Sequence, residues 1–186
     1  GDDGTPNRLR SATDVSTANW PCPSQTQHHQ WKTNKMNENV SVTREINAPA
    51  DRVWEMVSDL PRMGEWSPEN EGGVWLKDAN GPLEGVKFRG ANRLGKRSWK
   101  TVATIIDAEP GHRLAFRTSV MGIPDSDWSY DLESTDSGCR VTESWTDRRP
   151  GWIKPLTALV TGVSDRKTHN RAGMEQTLKS LGAAAE

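Results

Sequence analysis

Apolar and polar positions alternate with a period of two along most of the chain and switch to a period of three to four near its end. Val40, Val42 and Ile46 alternate with Ser41, Thr43 and Glu45, the pattern of a half-buried strand. A helix is predicted next. Pro49 holds Ala48 extended and sets its own φ near a helical start, Asp51 falls in the first turn where the helix dipole favours an anion, and Val53, Trp54 and Val57 form one apolar face up to Leu60-Pro61. Strand patterns return at residues 72–77 and 86–93, joined by the turn-forming run Asp78-Ala79-Asn80-Gly81-Pro82, and continue at 98–108, 113–118, 127–134 and 139–147. Six or seven strands with short connections make an antiparallel meander. After Arg149-Pro150-Gly151 the period changes: Trp152, Leu156, Leu159, Val163, Asn170, Met174, Leu178 and Leu181 recur at helical spacing, and Gly162 divides a short piece from a long one.

Composition limits how much of the chain such a domain can use. Of 186 residues only 33% are hydrophobic, so part of the length must lie outside the core. Residues 1–37, polar and without apolar periodicity, read as a disordered or non-native extension, leaving a domain at 38–184. Met36, directly before the first strand, is expected to be the natural start. Lys and Arg number 24 against 25 Asp and Glu, a net charge of -1 that supplies no drive toward nucleic acid or anionic lipid. No apolar run is long enough for a stable membrane insertion. The cluster Lys87, Arg89, Arg93, Lys96, Arg97 and Lys100 alternates with Phe88, Gly90 and Asn92, which reads as a solvated strand face. Cys22 and Cys139 lie in regions of different character, so a reduced cytoplasmic protein is expected. His28-His29 lacks a third ligand, and neither a metal nor a cofactor is expected.

Nine tryptophans against two phenylalanines and one tyrosine are unusual, and they fall at telling places. Ile46-Asn47-Ala48-Pro49-Ala50-Asp51-Arg52-Val53-Trp54, followed by Asp59-Leu60-Pro61 and Trp66-Ser67-Pro68, resembles the opening of the polyketide cyclase/dehydrase and START-like superfamily. Gly85-Val86-Lys87-Phe88-Arg89-Gly90-Ala91-Asn92-Arg93, Glu109-Pro110-Gly111-His112-Arg113-Leu114-Ala115-Phe116 and Gly138-Cys139-Arg140-Val141-Thr142-Glu143 are similar to later strands of its actinobacterial members. Gly162-Val163, Asp165-Arg166, His169-Asn170 and Gly173-Met174 are similar to their last helix. The resemblance implies an α+β helix-grip (START-like) fold. In it, two short helices follow the first strand, and a curved antiparallel sheet surrounds a long C-terminal helix with an apolar cavity between them.

Alternation then selects the inward side chains: Phe88, Gly90 and Asn92 on one strand, Trp99 and Thr101 on the next, then Phe116, then Trp128 and Tyr130, then Glu143 and Trp145. Each tryptophan alone fits plain core filling as well. Several large rings with Gly90 on one curved surface instead suggest a ligand-sized space. Trp66 and Trp152 are expected near its rim as a gate, and Trp66 fits a structural lid-helix tryptophan equally well. On the last helix Asn170 has the inward phase and His169 lies on the flank. Glu143 is the exceptional position, a carboxylate between Val141 and Trp145. It either pairs with Arg44, reaches solvent at a barrel mouth, or acts with Tyr130 as a general acid/base. No Gly-x-Ser-x-Gly elbow, phosphate-binding loop or metal-ligand cluster is present in the sequence. The expected function is binding, transport or sequestration of a hydrophobic lipid-like or polycyclic aromatic molecule. The alternative is a polyketide cyclase or dehydratase, and a homodimer stays open.

Overall fold

The computed structural model describes residues 38–186. The expectations for residues 1–37, including those for Cys22, His28-His29 and Met36, lie outside them. Strand β1 (Asn39–Ile46) leads through Ala48-Pro49 into α1 (Ala50–Ser58) and then a 3₁₀ helix (Leu60–Glu65), the two short helices expected after the first strand. The strands are β2 (Asn70–Trp75), β3 (Lys87–Leu94), β4 (Arg97–Glu109), β5 (Arg113–Val120), β6 (Ile123–Thr135) and β7 (Gly138–Asp147). Helices α2 (Lys154–Thr161) and α3 (Arg166–Ala185) close the chain. All seven strands join one antiparallel sheet in the order β1-β7-β6-β5-β4-β3-β2, so only β1 crosses over, pairing with the last strand. This is an α+β helix-grip arrangement, as the family resemblance implied.

The C-terminal half of α3 fills one end of the curved sheet. Leu178, Leu181 and Ala185 pack with Ile46, Leu132 and Val141, and the α1 residues Val53 and Val57 close the same core. The N-terminal half of α3 behaves differently: Arg166, His169 and Asn170 face a cavity, and Met174 lines it while packing with Val40 and Trp145. A helix anchored at one end and standing off the sheet at the other is what creates the internal space.

Two segments depart from the sequence reading. The sequence reading ended one strand at residue 118 and began the next at 127. The stretch between them is a hairpin whose turn residues Met121 and Gly122 both have positive φ (50° and 82°), the combination that a tight hairpin turn requires. Helix α2 is present, but the apolar residues around it are not buried: Trp152 and Leu159 are each 73% exposed and Leu156 55%. Gly162 ends α2 in the left-handed region (φ 80°), and a Cβ there would strike the Arg97 guanidinium. The chain therefore turns before α3, and α2 lies across the cavity instead of continuing the buried stripe.

Candidate functional site

The space between the sheet, α2 and the N-terminal half of α3 is a cavity of about 680 Å³. Strand register builds its wall. Cross-strand pairing aligns Phe116 on β5, Trp128 on β6 and Trp145 on β7 in one row. The adjacent row sets Leu114 beside Tyr130 and Tyr130 beside Glu143. All of these except Leu114 line the cavity, so a row of aromatic rings runs next to a polar pair.

The other predicted positions fall around the same space. Phe88 is buried in the wall and meets Trp75 edge-on at 5.2 Å between ring centroids. Gly90 is also in the wall, where a Cβ would lie 3.4 Å from Thr101 Oγ1 and 3.5 Å from the Phe88 ring, ordinary contact distances. Asn92 donates from Nδ2 to Thr101 Oγ1 at 3.2 Å, so these two wall residues satisfy each other. Trp99 carries the Arg166 guanidinium over its ring at 5.6 Å. Asn170 faces the cavity from α3, in keeping with its inward phase.

Two tryptophans lie away from the expected rim: Trp66 takes its structural alternative, and Trp152 departs from the expected gate. Trp66 is 4% exposed and belongs to the core, with its indole N–H donated to Met63 Sδ at 3.1 Å. Its 3₁₀ turn folds under β2, which takes the ring away from the cavity rim. Trp152 points to solvent outside the cavity wall, because the turn after Pro150 presents Ile153, not Trp152, to the interior. His169, expected on the flank, lines the cavity and hydrogen-bonds Glu69 through Nε2; Arg166 approaches the same carboxylate at 3.5 Å.

Glu143 is 2% exposed, and its partner is not Arg44. The β1–β7 register puts Val42 opposite Glu143 and Arg44 opposite Val141, so the arginine emerges toward solvent two residue pairs farther along. Tyr130 instead donates its hydroxyl to Glu143 Oε1 at 2.9 Å, while Oε2 is buried without a partner among the described residues. Burial pushes the Glu143 carboxyl up to about 8, with the Tyr130 hydrogen bond working the other way. Tyr130 is itself driven well above the ordinary phenol range, first by burial and then by the neighbouring carboxyl. At neutral pH both groups hold their protons, so the cavity contains an uncharged acid.

A second polar cluster escaped the sequence reading. Asp147 continues the inward phase of Cys139, Val141, Glu143 and Trp145, which was the signal available for it. Its carboxylate is gripped by Arg149 through Nε and Nη2, both at 2.9 Å, and by Lys154 at 3.0 Å. Arg149, also in the cavity wall, donates through Nη1 to Thr157 Oγ1 at 2.9 Å. Burial works to raise the Asp147 carboxyl, but the hydrogen bonds from Arg149 and Lys154 outweigh it and hold the group below its usual range. The sequence pattern could place Asp147 inward, but the return of α2 across the strand end is what supplies Lys154 and Thr157.

Residues 37–186 match the model of the family described as polyketide cyclase / dehydrase and lipid transport. No curated protein matches the sequence. Among solved structures, a polyketide-cyclase-like protein from Corynebacterium glutamicum is similar at 27% identity and a TM-score of 0.57, over 81% of this chain and 93% of that one. A START superfamily protein from Mycobacterium smegmatis shares the fold at 16% identity and a TM-score of 0.59, covering 79% and 96% of the two chains. The di-domain ARO/CYC protein of the steffimycin biosynthetic pathway does so at 13% identity and a TM-score of 0.63, over 80% of this chain and 50% of that one.

Proposed function

The chain belongs to the polyketide cyclase/dehydrase and lipid transport family, and from that premise we propose that it binds a hydrophobic small molecule, lipid-like or polycyclic aromatic, in the cavity beneath α3. The observation that carries this reading is the cavity itself: about 680 Å³ walled by Phe88, Trp99, Phe116, Trp128 and Trp145. Ligand pockets run from about 300 to 1,000 Å³ and are mostly apolar with a few placed polar groups. A folded domain this size gives up much packing to keep such a space open. Aromatic rings along the β5-β6-β7 row offer flat faces to a ring system or an extended chain. Native mass spectrometry of protein purified from its own source tests the reading. A copurifying small molecule supports it; a bare mass, together with no melting-temperature shift across a panel of lipids and polycyclic aromatics, refutes it.

A second reading is favoured by one observation, the protonated Glu143 held by Tyr130 in an apolar space. An acid with a pKa near the working pH is suited to proton exchange. In a dehydration, the Glu143 proton would pass to a departing hydroxyl that leaves as water. Carboxylate Oε2 would then recover a proton from the carbon next to the ligand carbonyl as the double bond forms. Tyr130 would hold Oε1 throughout. On this reading Glu143→Gln keeps ligand affinity and abolishes turnover, whereas turnover equal to wild type would exclude it.

A further inference from the structure

The Glu143 carboxyl is satisfied on one oxygen only. Tyr130 donates to Oε1, and Oε2 is buried, unpartnered among the described residues, in the wall of an open cavity. Buried polar atoms in native proteins find partners, so a lone buried oxygen on a side chain of the cavity wall marks where a ligand atom belongs. Resting on the cavity reading above, we propose that Glu143 and Tyr130 form a subsite for a neutral hydrogen-bond-accepting oxygen, such as the carbonyl of a ring ketone or quinone carried by an otherwise apolar ligand.

The chemistry of the surroundings selects that class. Among the described residues, no charge faces Glu143 from any packed element. Its own strand brings Val141 and Trp145, β1 brings Val42 opposite, and β6 brings Tyr130. The α3 residues Asn170, Met174 and Thr177 in the cavity wall are uncharged. The charged groups elsewhere in that wall are engaged: Arg166 and His169 with Glu69, Arg149 with Asp147, and Asp125 with Thr118 and Ser126. Burial without a counter-charge leaves the acid protonated at neutral pH. Because Tyr130 uses its proton on Oε1, the carboxyl proton lies on Oε2 and is the one donor on offer.

A carbonyl needs a single donor and meets one here. An ammonium would have to be desolvated together with an ionised Glu143, two buried charges where a neutral ligand brings none. A ligand carboxylate would set a second acid against the first. The adjacent row of Phe116, Trp128 and Trp145 supplies the flat apolar floor that a ring bearing the carbonyl would occupy.

Three probes of one shape test this: fluorene, 9-fluorenone and 9-aminofluorene, each measured by displacement of Nile red from the whole protein at pH 6.5 and pH 9.5. The expected result is that fluorenone binds about tenfold more tightly than fluorene at the lower pH, the worth of one buried hydrogen bond. The ratio should collapse at the higher pH, where the carboxyl has lost its proton. Glu143→Gln, whose amide still donates but does not titrate, should keep the preference at both pH values. Glu143→Leu should level the two ligands; if that variant fails to fold, Glu143→Gln decides alone. Equal affinity of fluorene and fluorenone at pH 6.5, a preference indifferent to pH in the wild type, or tighter binding of 9-aminofluorene overturns the proposal. If none of the three binds, the cavity reading itself falls and this subsite falls with it.

Discussion

Removing the charge from Glu143 should stabilise the protein under alkaline conditions, and the size of the effect follows from the burial of one carboxyl. The ordinary value is 4.5 and the folded value is about 8, so the native state holds a proton that the unfolded chain has lost between those two pH values. Stability then falls as pH rises through that window, because the folded state must either keep taking up a proton or bury a charge. Each pH unit is worth about 1.4 kcal/mol. The deficit is absent below pH 4.5, reaches roughly 3 kcal/mol at pH 7 and levels off near 5 kcal/mol above pH 8. Glu143→Gln keeps the shape and the hydrogen bond accepted from Tyr130 but has nothing to titrate. Urea unfolding of wild type and variant from pH 4 to 9.5 isolates the effect, since every other titrating group cancels in the difference. The variant should gain on the wild type by about 1.4 kcal/mol per pH unit across the window and hold constant outside it, with m unchanged. A difference independent of pH would mean that Glu143 is solvated in the folded state. A slope of the opposite sign would mean that a cation holds it.

Other substitutions probe separate parts of the structure. Gly90→Leu should raise the dissociation constant of any cavity ligand at least tenfold, measured by tryptophan fluorescence, while stability moves by about 1 kcal/mol or less, because the side chain enters open space. Asp147→Asn should cost on the order of 3 kcal/mol in urea unfolding, since buried Arg149 loses its carboxylate; Asp147→Asn combined with Arg149→Met should recover part of that. Gly162→Ala should lower stability by about 1–2 kcal/mol, because the left-handed backbone disfavours a Cβ that must also displace Arg97. Little change in its melting temperature would show that the turn between α2 and α3 is free to adjust.

The elements of the fold were legible because each has a local signature, while their helix-grip arrangement came from the family resemblance. Period-two alternation from Val40 to Ile46 and from Cys139 to Trp145 marks strands with one buried face, Ala48-Pro49 starts α1, and Gly162 separates α2 from α3. The same alternation identified which side chains share the cavity wall from Phe88 through Trp145. Where it failed, the deciding quantity was not local. Arg44 has the inward phase, yet the pairing of β1 with β7 sets it against Val141, so Glu143 is left to Tyr130 and stays uncharged. Trp66 and Trp152 look alike in sequence as aromatic residues beside proline-containing turns; one is core and the other faces water, according to which neighbour each turn folds against. The Asp147-Arg149-Lys154 cluster exists because α2 returns across the end of β7. Side-chain direction repeats along a strand and can be read from the sequence, but a partner depends on the register and docking of segments far apart in the chain, which only the closed tertiary structure sets.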